Sequence, residues 1–239
     1  MLEKTEAFVL HSFRYGESKM IVDLFTRQHG RLAFVIGLPK TSKGKLKKQY
    51  FQPLTLLSIE CDVRPQQQLQ KLRDAAIRTP LLTLQSEPSK LAIGLFLAEF
   101  LYHALKGEQR NEALYDYVTS SLQWLDSRDS HFANFHLVFL MRLSRFLGFY
   151  PNMEEGDRYF DLRAGTFCSA PPLHRDFLMP NEARTLQLMM RMDFANMHLF
   201  RMNRQQRNRC VEVAIQFYRL HLPDFPDLRS LEVLRDLWD

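Results

Sequence analysis

The chain has 239 residues, 46% hydrophobic and 12% aromatic, with 19 Phe; so much apolar material excludes a disordered chain and fills one large domain or two or three small ones. Net charge is only +5, yet residues 1–80 hold 14 Lys and Arg against 7 Asp and Glu, and the remainder holds 18 against 20. All the excess positive charge lies in the first third, as expected when one module faces an anion and the other does not.

The first 80 residues read as short strands. EAFVLHSFRYG, KMIVDLFTRQHG and RLAFVIGLPK are rich in Val, Ile and Phe and are punctuated by Gly16, Gly30 and Gly37-Leu38-Pro39. After a basic segment come PLTLLSIECDVR and QQLQKLRDAAIR, separated at Pro65. Five strands leave no room for βα crossovers, and a small antiparallel barrel closes them without exposed edges. Five strands with one loop-rich connection is the count of an OB-fold. An SH3-like barrel satisfies the same pattern, and periodicity alone does not separate them.

The basic segment holds Lys40, Lys43, Lys45, Lys47 and Lys48, spaced by Thr, Ser and Gly and closed by Tyr50-Phe51-Gln52-Pro53. Lysine meets phosphate as a point charge and reads no sequence. A solvated loop that serves solubility is the competing reading. The neighbouring aromatics Tyr50 and Phe51, together with the charge asymmetry, favour a surface that binds single strands by charge and stacking. Arg14, Lys19, Arg27 and Arg31 on the strands are candidates to extend that surface. Phe8, Phe25 and Phe34 stand at core-like strand positions, where packing is expected.

From Thr79-Pro80 the period becomes helical. Ser86 is the predicted N-cap and Pro88 the first turn of KLAIGLFLAEFLYHALKG. NEALYDYVTSSLQWLDSR and HFANFHLVFLMRLSRFLGFYP follow as helices, the second ending at Gly148 with Pro151 beyond it. In DRYFDLRAGTFCSAPP, Arg163-Ala164-Gly165 joins two short β-like runs as a hairpin. PNEARTLQLMMRMDFANMHL, NRQQRNRCVEVAIQFYRLHL and DLRSLEVLRDLWD read as further helices. The predicted class is α+β: a barrel over residues 1–80, then an all-α domain over 81–239 carrying a hairpin around 157–170. Arg142 and Arg145 near Phe146 form a candidate basic rim beside an apolar pocket. Arg201, Arg204 and Arg207 recur every three residues and are expected on one solvated face.

Cys61, Cys168 and Cys210 are far apart and make no CxxC, which fits a reducing cytoplasm. The N-terminus lacks a basic start followed by an apolar run, so no signal peptide is expected. Apolar stretches are interrupted well before the roughly 18 residues of a membrane span. No GxxxxGK[ST], HExxH or GxSxG occurs, and the histidines lack ligand spacing, so no enzyme is expected.

Several stretches, in order, resemble the bacterial recombination mediator RecO family. They are YGESKMIVDLFTRQHGRLAFVIGLPK, the lysine segment ending in Gln52-Pro53, FLAEFLYHAL, RLSRFLGFYP, FDLRAGTFCS and FPDLRSLEVL, where Arg229 stands for the family's Lys. The resemblance spans nearly the whole chain and implies an OB-fold barrel. It implies a non-enzymatic repair protein in the bacterial cytoplasm, associated with the nucleoid, that binds single-stranded and also double-stranded DNA and anneals complementary strands. It further implies RecR as partner, RecA loaded indirectly, and a helical domain that receives the acidic, Phe-ended tail of single-strand DNA-binding protein. An RNA-binding OB module is the alternative, since a phosphate-binding loop does not distinguish the sugars. Many family members carry four cysteines at the hairpin as a zinc site. Here only Cys168 and His174 stand near it, so the region is degenerate and no metal or other cofactor is expected.

Overall fold

The computed structural model describes residues 2–37, 46–64, 66–153 and 158–237. The chain forms two compact units, Met1–Ser127 and Arg128–Asp239. The first unit thus takes in the barrel and three helices beyond residue 80.

Five strands make the barrel: β1 Leu2–Tyr15, β2 Lys19–Thr26, β3 Gly30–Gly37, β4 Leu56–Asp62 and β5 Leu69–Thr79. They close in the order β1-β2-β3-β5-β4. All pairings are antiparallel except β3 with β5, which run parallel through Ala33↔Leu69, Phe34↔Gln70 and Val35↔Lys71. That order with its single parallel seam is the OB-fold topology and resolves the choice that periodicity left open. Val9, Val22, Leu24, Phe34, Ile36, Leu57, Ile59 and Leu72 alternate inward and fill the barrel with Met20, Ala75 and Phe51. A bulge between Val9 and His11 interrupts the β1–β2 register. The sharp β1–β2 and β2–β3 turns use Gly16 and Gly30 at φ +68° and +69°.

Three helices complete this unit: α1 Leu82–Ser86, α2 Pro88–Ala104 and α3 Glu112–Asp126. The predicted N-cap Ser86 instead ends α1, its hydroxyl donating to the Leu82 carbonyl at 2.8 Å, and Glu87 is the cap before Pro88. Pro88 lacks an N–H and its ring disfavours a helical residue before it, so α1 and α2 cannot fuse. Lys90 is fully buried; its ammonium donates to Thr83 Oγ1 at 2.6 Å and to the Asp126 carbonyl at 3.1 Å, tying α1 and α2 to the end of α3.

The second unit contains α4 Phe135–Phe146, β6 Tyr159–Asp161, β7 Thr166–Cys168, β8 Phe177–Leu178, α5 Pro180–Arg191, α6 Arg204–His221 and α7 Ser230–Arg235. The predicted hairpin is present as β6–β7, turned at Gly165, and β8 adds a third strand on the free side of β6. The helix expected to run from Pro180 to Leu199 stops at Arg191. There the Asp193 carboxylate accepts from the N–H groups of Ala195 and Asn196 at 2.9 and 2.7 Å, folding a turn that competes with the helix. α6 opens on a reciprocal cap between Asn203 and Gln206. It is fixed to α4 by Tyr218, whose hydroxyl donates to the Leu140 carbonyl at 2.7 Å.

Candidate nucleic-acid interface

Of the five lysines singled out, Lys40, Lys43 and Lys45 lie outside the described residues, whereas Lys47 and Lys48 are described and exposed. Both flanks of the segment are anchored on the barrel. Before it, Gly37 pairs with Lys19, which in turn pairs with Tyr15. After it comes a 3₁₀ turn, Lys48–Phe51. Phe51 is 1% exposed and plugs the barrel, and its carbonyl accepts from Ser12 Oγ at 2.8 Å. Tyr50 packs partly buried against the same core and lies 6.0 Å beneath the Lys47 ammonium. The two aromatics expected to stack on bases are therefore an anchor and its neighbour.

The strand cations divide. Arg27 faces three carboxylates, Glu6 at 3.3 Å, Asp116 at 3.1 Å and Glu112 at 3.7 Å, and the Asp116 charge holds its pKa above the usual arginine value. Arg31 donates to the Tyr102 carbonyl at 2.6 Å and to Asp23 at 3.3 Å, and its guanidinium lies 4.5 Å over the Tyr102 ring. Both tie the barrel to α2 and α3. Arg14 and Lys19, in contrast, are exposed at the β1–β2 tip, where Arg14 holds the turn by donating to the Gly16 and Glu17 carbonyls at 3.2 and 2.9 Å.

These fates follow from rows of paired residues across the outer face of β1, β2 and β3. Phe8, Phe25 and Arg31 share one row. It is covered: Phe8 and Phe25 are both 0% exposed, and Phe8 stacks on Tyr115 of α3 at 5.8 Å. In the next row His11 meets Tyr102 of α2 at 4.8 Å. Beyond that, the row Phe13, Ile21, Val35, Lys71 and the row Tyr15, Lys19, Gly37 remain open. Phe13 is 44% exposed and Tyr15 56%. These two aromatics and Lys71 were missed among the candidate site residues. The alternation in Phe13-Arg14-Tyr15 hints at one shared face, but their exposure depends on where α2 ends. Phe34, as expected, is barrel core.

In the second unit Arg142 and Arg145 are exposed and Phe146 is half-buried. Arg145 lies 4.3 Å over the Tyr150 ring, whereas Phe149 turns to α6, stacking on His221 at 5.2 Å. Arg201, Arg204 and Arg207 do not share a solvated face. Arg201 precedes α6, Arg204 pairs with Asp236 at 2.7 Å, and Arg207 is buried, donating to Asn134 Oδ1 at 3.1 Å and the Met202 carbonyl at 2.9 Å. Arg201 and Arg207 line an open pocket of about 600 Å³ with His131, His198 and Phe200, and among the described residues no carboxylate lines it.

At the hairpin, His174 Nε2 lies 3.2 Å from Asp161 Oδ2 and the Cys168 thiol donates to the Tyr159 carbonyl at 3.8 Å. Among the described residues no three His, Cys, Asp or Glu side chains converge as metal ligands. Burial pushes the Cys61 and Cys210 thiols up to about 11, so both are protonated at neutral pH. No helix among the described residues is long and apolar enough to cross a membrane.

The chain matches the family model for the recombination protein O N-terminal region over residues 1–81 and that for its C-terminal region over 85–232. It is 47% identical to a DNA repair protein RecO of Phocaeicola vulgatus over 240 residues and 47% identical to one of Bacteroides fragilis over 243 residues. Identity to the DNA repair protein RecO of Porphyromonas gingivalis is 35% over 247 residues. All of each chain is covered in the three alignments.

Proposed function

The chain belongs to the recombination protein O family and acts in DNA repair and recombination; on that premise we propose that its barrel binds single-stranded DNA through phosphates, without sequence preference and without catalysing a covalent step. One observation carries the reading. The described residues on either side of the lysine segment, Gly37 and Lys47–Phe51, lie on the barrel near the exposed cations Arg14 and Lys19. Lys40, Lys43, Lys45, Lys47 and Lys48 supply the phosphate contacts, extended by Arg14 and Lys19, while Arg27 and Arg31 hold the barrel to its helices. Concentrated positive charge screens repulsion between two strands, which is what annealing requires, and duplex DNA binds through the same charges.

Labour divides near residue 80, the barrel holding DNA and the helical part from 81 onward docking partners. RecR joins there, and RecA is loaded indirectly on DNA coated by single-strand DNA-binding protein. The acidic tail of that protein finds two receptors of suitable chemistry: the Arg142–Arg145–Phe146 edge, and the pocket of Arg201 and Arg207 beside Phe200. The protein works in the bacterial cytoplasm at the nucleoid.

The test is fluorescence anisotropy of labelled single-stranded DNA against salt, comparing the intact chain with a variant carrying Gln at all five lysines. Five phosphate contacts give a salt slope of about −3.5, roughly 0.7 per contact. Loss of affinity together with that slope supports the reading, and equal binding with equal slope returns the segment to a solvated loop. Competition by an RNA strand of matched length separates DNA from RNA preference.

A further inference from the structure

Phosphate contacts alone do not distinguish a strand whose bases are free from one whose bases are paired. The open half of the barrel's outer face carries what such a distinction needs. Phe13 and Tyr15 project from the same side of β1, and both are about half exposed. Phe13 continues sideways into Ile21, Val35 and Lys71, so an apolar strip about 14 Å wide runs from β1 to β5 with a cation at its far edge. Tyr15 continues into Lys19 and then Gly37, whose missing side chain leaves the strip open where the lysine segment begins. Half-exposed Phe and Tyr on the part of β1 that is paired to β2 are costly to leave in water, and on a face rimmed by Lys19 and Lys71 the occupant must combine flat apolar surface with negative charge. A single nucleic-acid strand has that chemistry, since every base presents a π-face and every linkage a phosphate.

We propose that Phe13 and Tyr15 form a base-stacking ledge, so that the protein selects unpaired over paired strands by bases laid on β1 while the lysines hold the backbone. The inference rests on the phosphate-binding reading above. Duplex DNA keeps its bases stacked on each other and reaches only the charges. In annealing, the ledge presents one strand's bases unstacked from their neighbours and releases them as pairs form.

The deciding experiment uses the full-length chain and two labelled probes of equal length, an oligothymidine and an abasic strand with the same phosphates. Intact protein is expected to bind the oligothymidine about ten-fold or more tightly than the abasic strand, with equal salt slopes. Phe13→Ala with Tyr15→Ala removes that difference and leaves the slope unchanged, whereas Phe13→Tyr with Tyr15→Phe retains it. Thermal melting of each variant checks the fold, and the two-probe ratio within the intact protein needs no variant at all. Equal affinity of the intact protein for both probes overturns the ledge while leaving phosphate binding standing; a face that docks another protein gives that result. Binding of neither probe overturns the phosphate reading and the ledge with it.

Discussion

The two halves of the barrel's outer face are built from the same three strands and from similar residues, yet one is covered and the other is open. Phe8, Phe25 and Arg31 on one half are closed over by Tyr115 and Tyr102, while Phe13, Tyr15 and Lys19 on the other remain open. Each half pairs aromatic rings with a cation in the same alternating pattern. The difference is the cover. α2 and α3 extend over the first half, and their connection is clasped to β3 by the Arg31 N–H, which donates to the Glu108 carbonyl at 3.1 Å. Residue type thus says what a side chain is able to do, and the cover decides which of its capacities is used.

The sharpest contrast should come from paired truncations. Phe25→Ala opens a cavity beside Phe8, on which Phe25 stacks at 5.3 Å, and is expected to cost about 4 kcal/mol of stability, whereas Phe13→Ala should stay within about 0.5 kcal/mol. Chemical denaturation of the two variants measures this directly, and similar losses would erase the distinction between the halves. Gly30→Ala attacks the clasp itself. Gly30 sits at φ +69°, and a Cβ there would overlap the Gln109 backbone, so the substitution should cost about 3 kcal/mol and raise hydrogen exchange in the loop joining α2 to α3. An unchanged melting temperature would mean that the loop is not held there.

Cover also sets chemistry in the second unit. Burial, aided by the Arg207 charge, pushes His136 down to about 3. The folded state therefore leaves the imidazole neutral while the unfolded chain protonates it below about 6.5, so stability is full above that pH and declines as pH falls toward 3. Between pH 7 and 5 the expected loss is about 2 kcal/mol, and His136→Gln should flatten this part of the stability–pH curve. A variant with the wild-type slope would refute the assignment.

The smallest effects separate the two kinds of strand cation. Arg31→Gln should cost about 1.5 kcal/mol through its lost charged hydrogen bonds and leave the salt slope of DNA binding alone. Lys19→Gln should do the reverse, lowering the slope by about 0.7 with stability nearly unchanged. Matching behaviour of the two variants would show that cover does not sort them.

Much of this was legible without coordinates, because it rests on local rules. The first three strands follow from Val-, Ile- and Phe-rich runs punctuated by Gly16, Gly30 and Gly37, and the helix end near Gly148 and the helix start at Asn203 obey chemistry confined to a few neighbouring residues. The concentration of lysine between residues 40 and 48 is likewise read by counting. The errors occur where a distant partner or a competing local bond intervenes. Ser86 reads as a helix start but closes the helix before it, and the Asp193 turn halts α5 where its apolar pattern continues.

The candidate site shows the same limit. Phe51 beside a run of lysines looks like a stacking platform; the barrel needs a plug at that end, and Phe51 fills it. Arg27 and Arg31 look like outward cations until Glu6, Asp116 and the Tyr102 carbonyl arrive from elsewhere in the chain. Sequence by itself determined the class of fold, the order of its elements and the charge that one end would carry, since propensity, periodicity and composition are properties of short stretches. Only the tertiary structure decided which arginines hold the molecule together and which aromatics face outward, because burial and ion pairing are set by residues that the chain brings together from far apart.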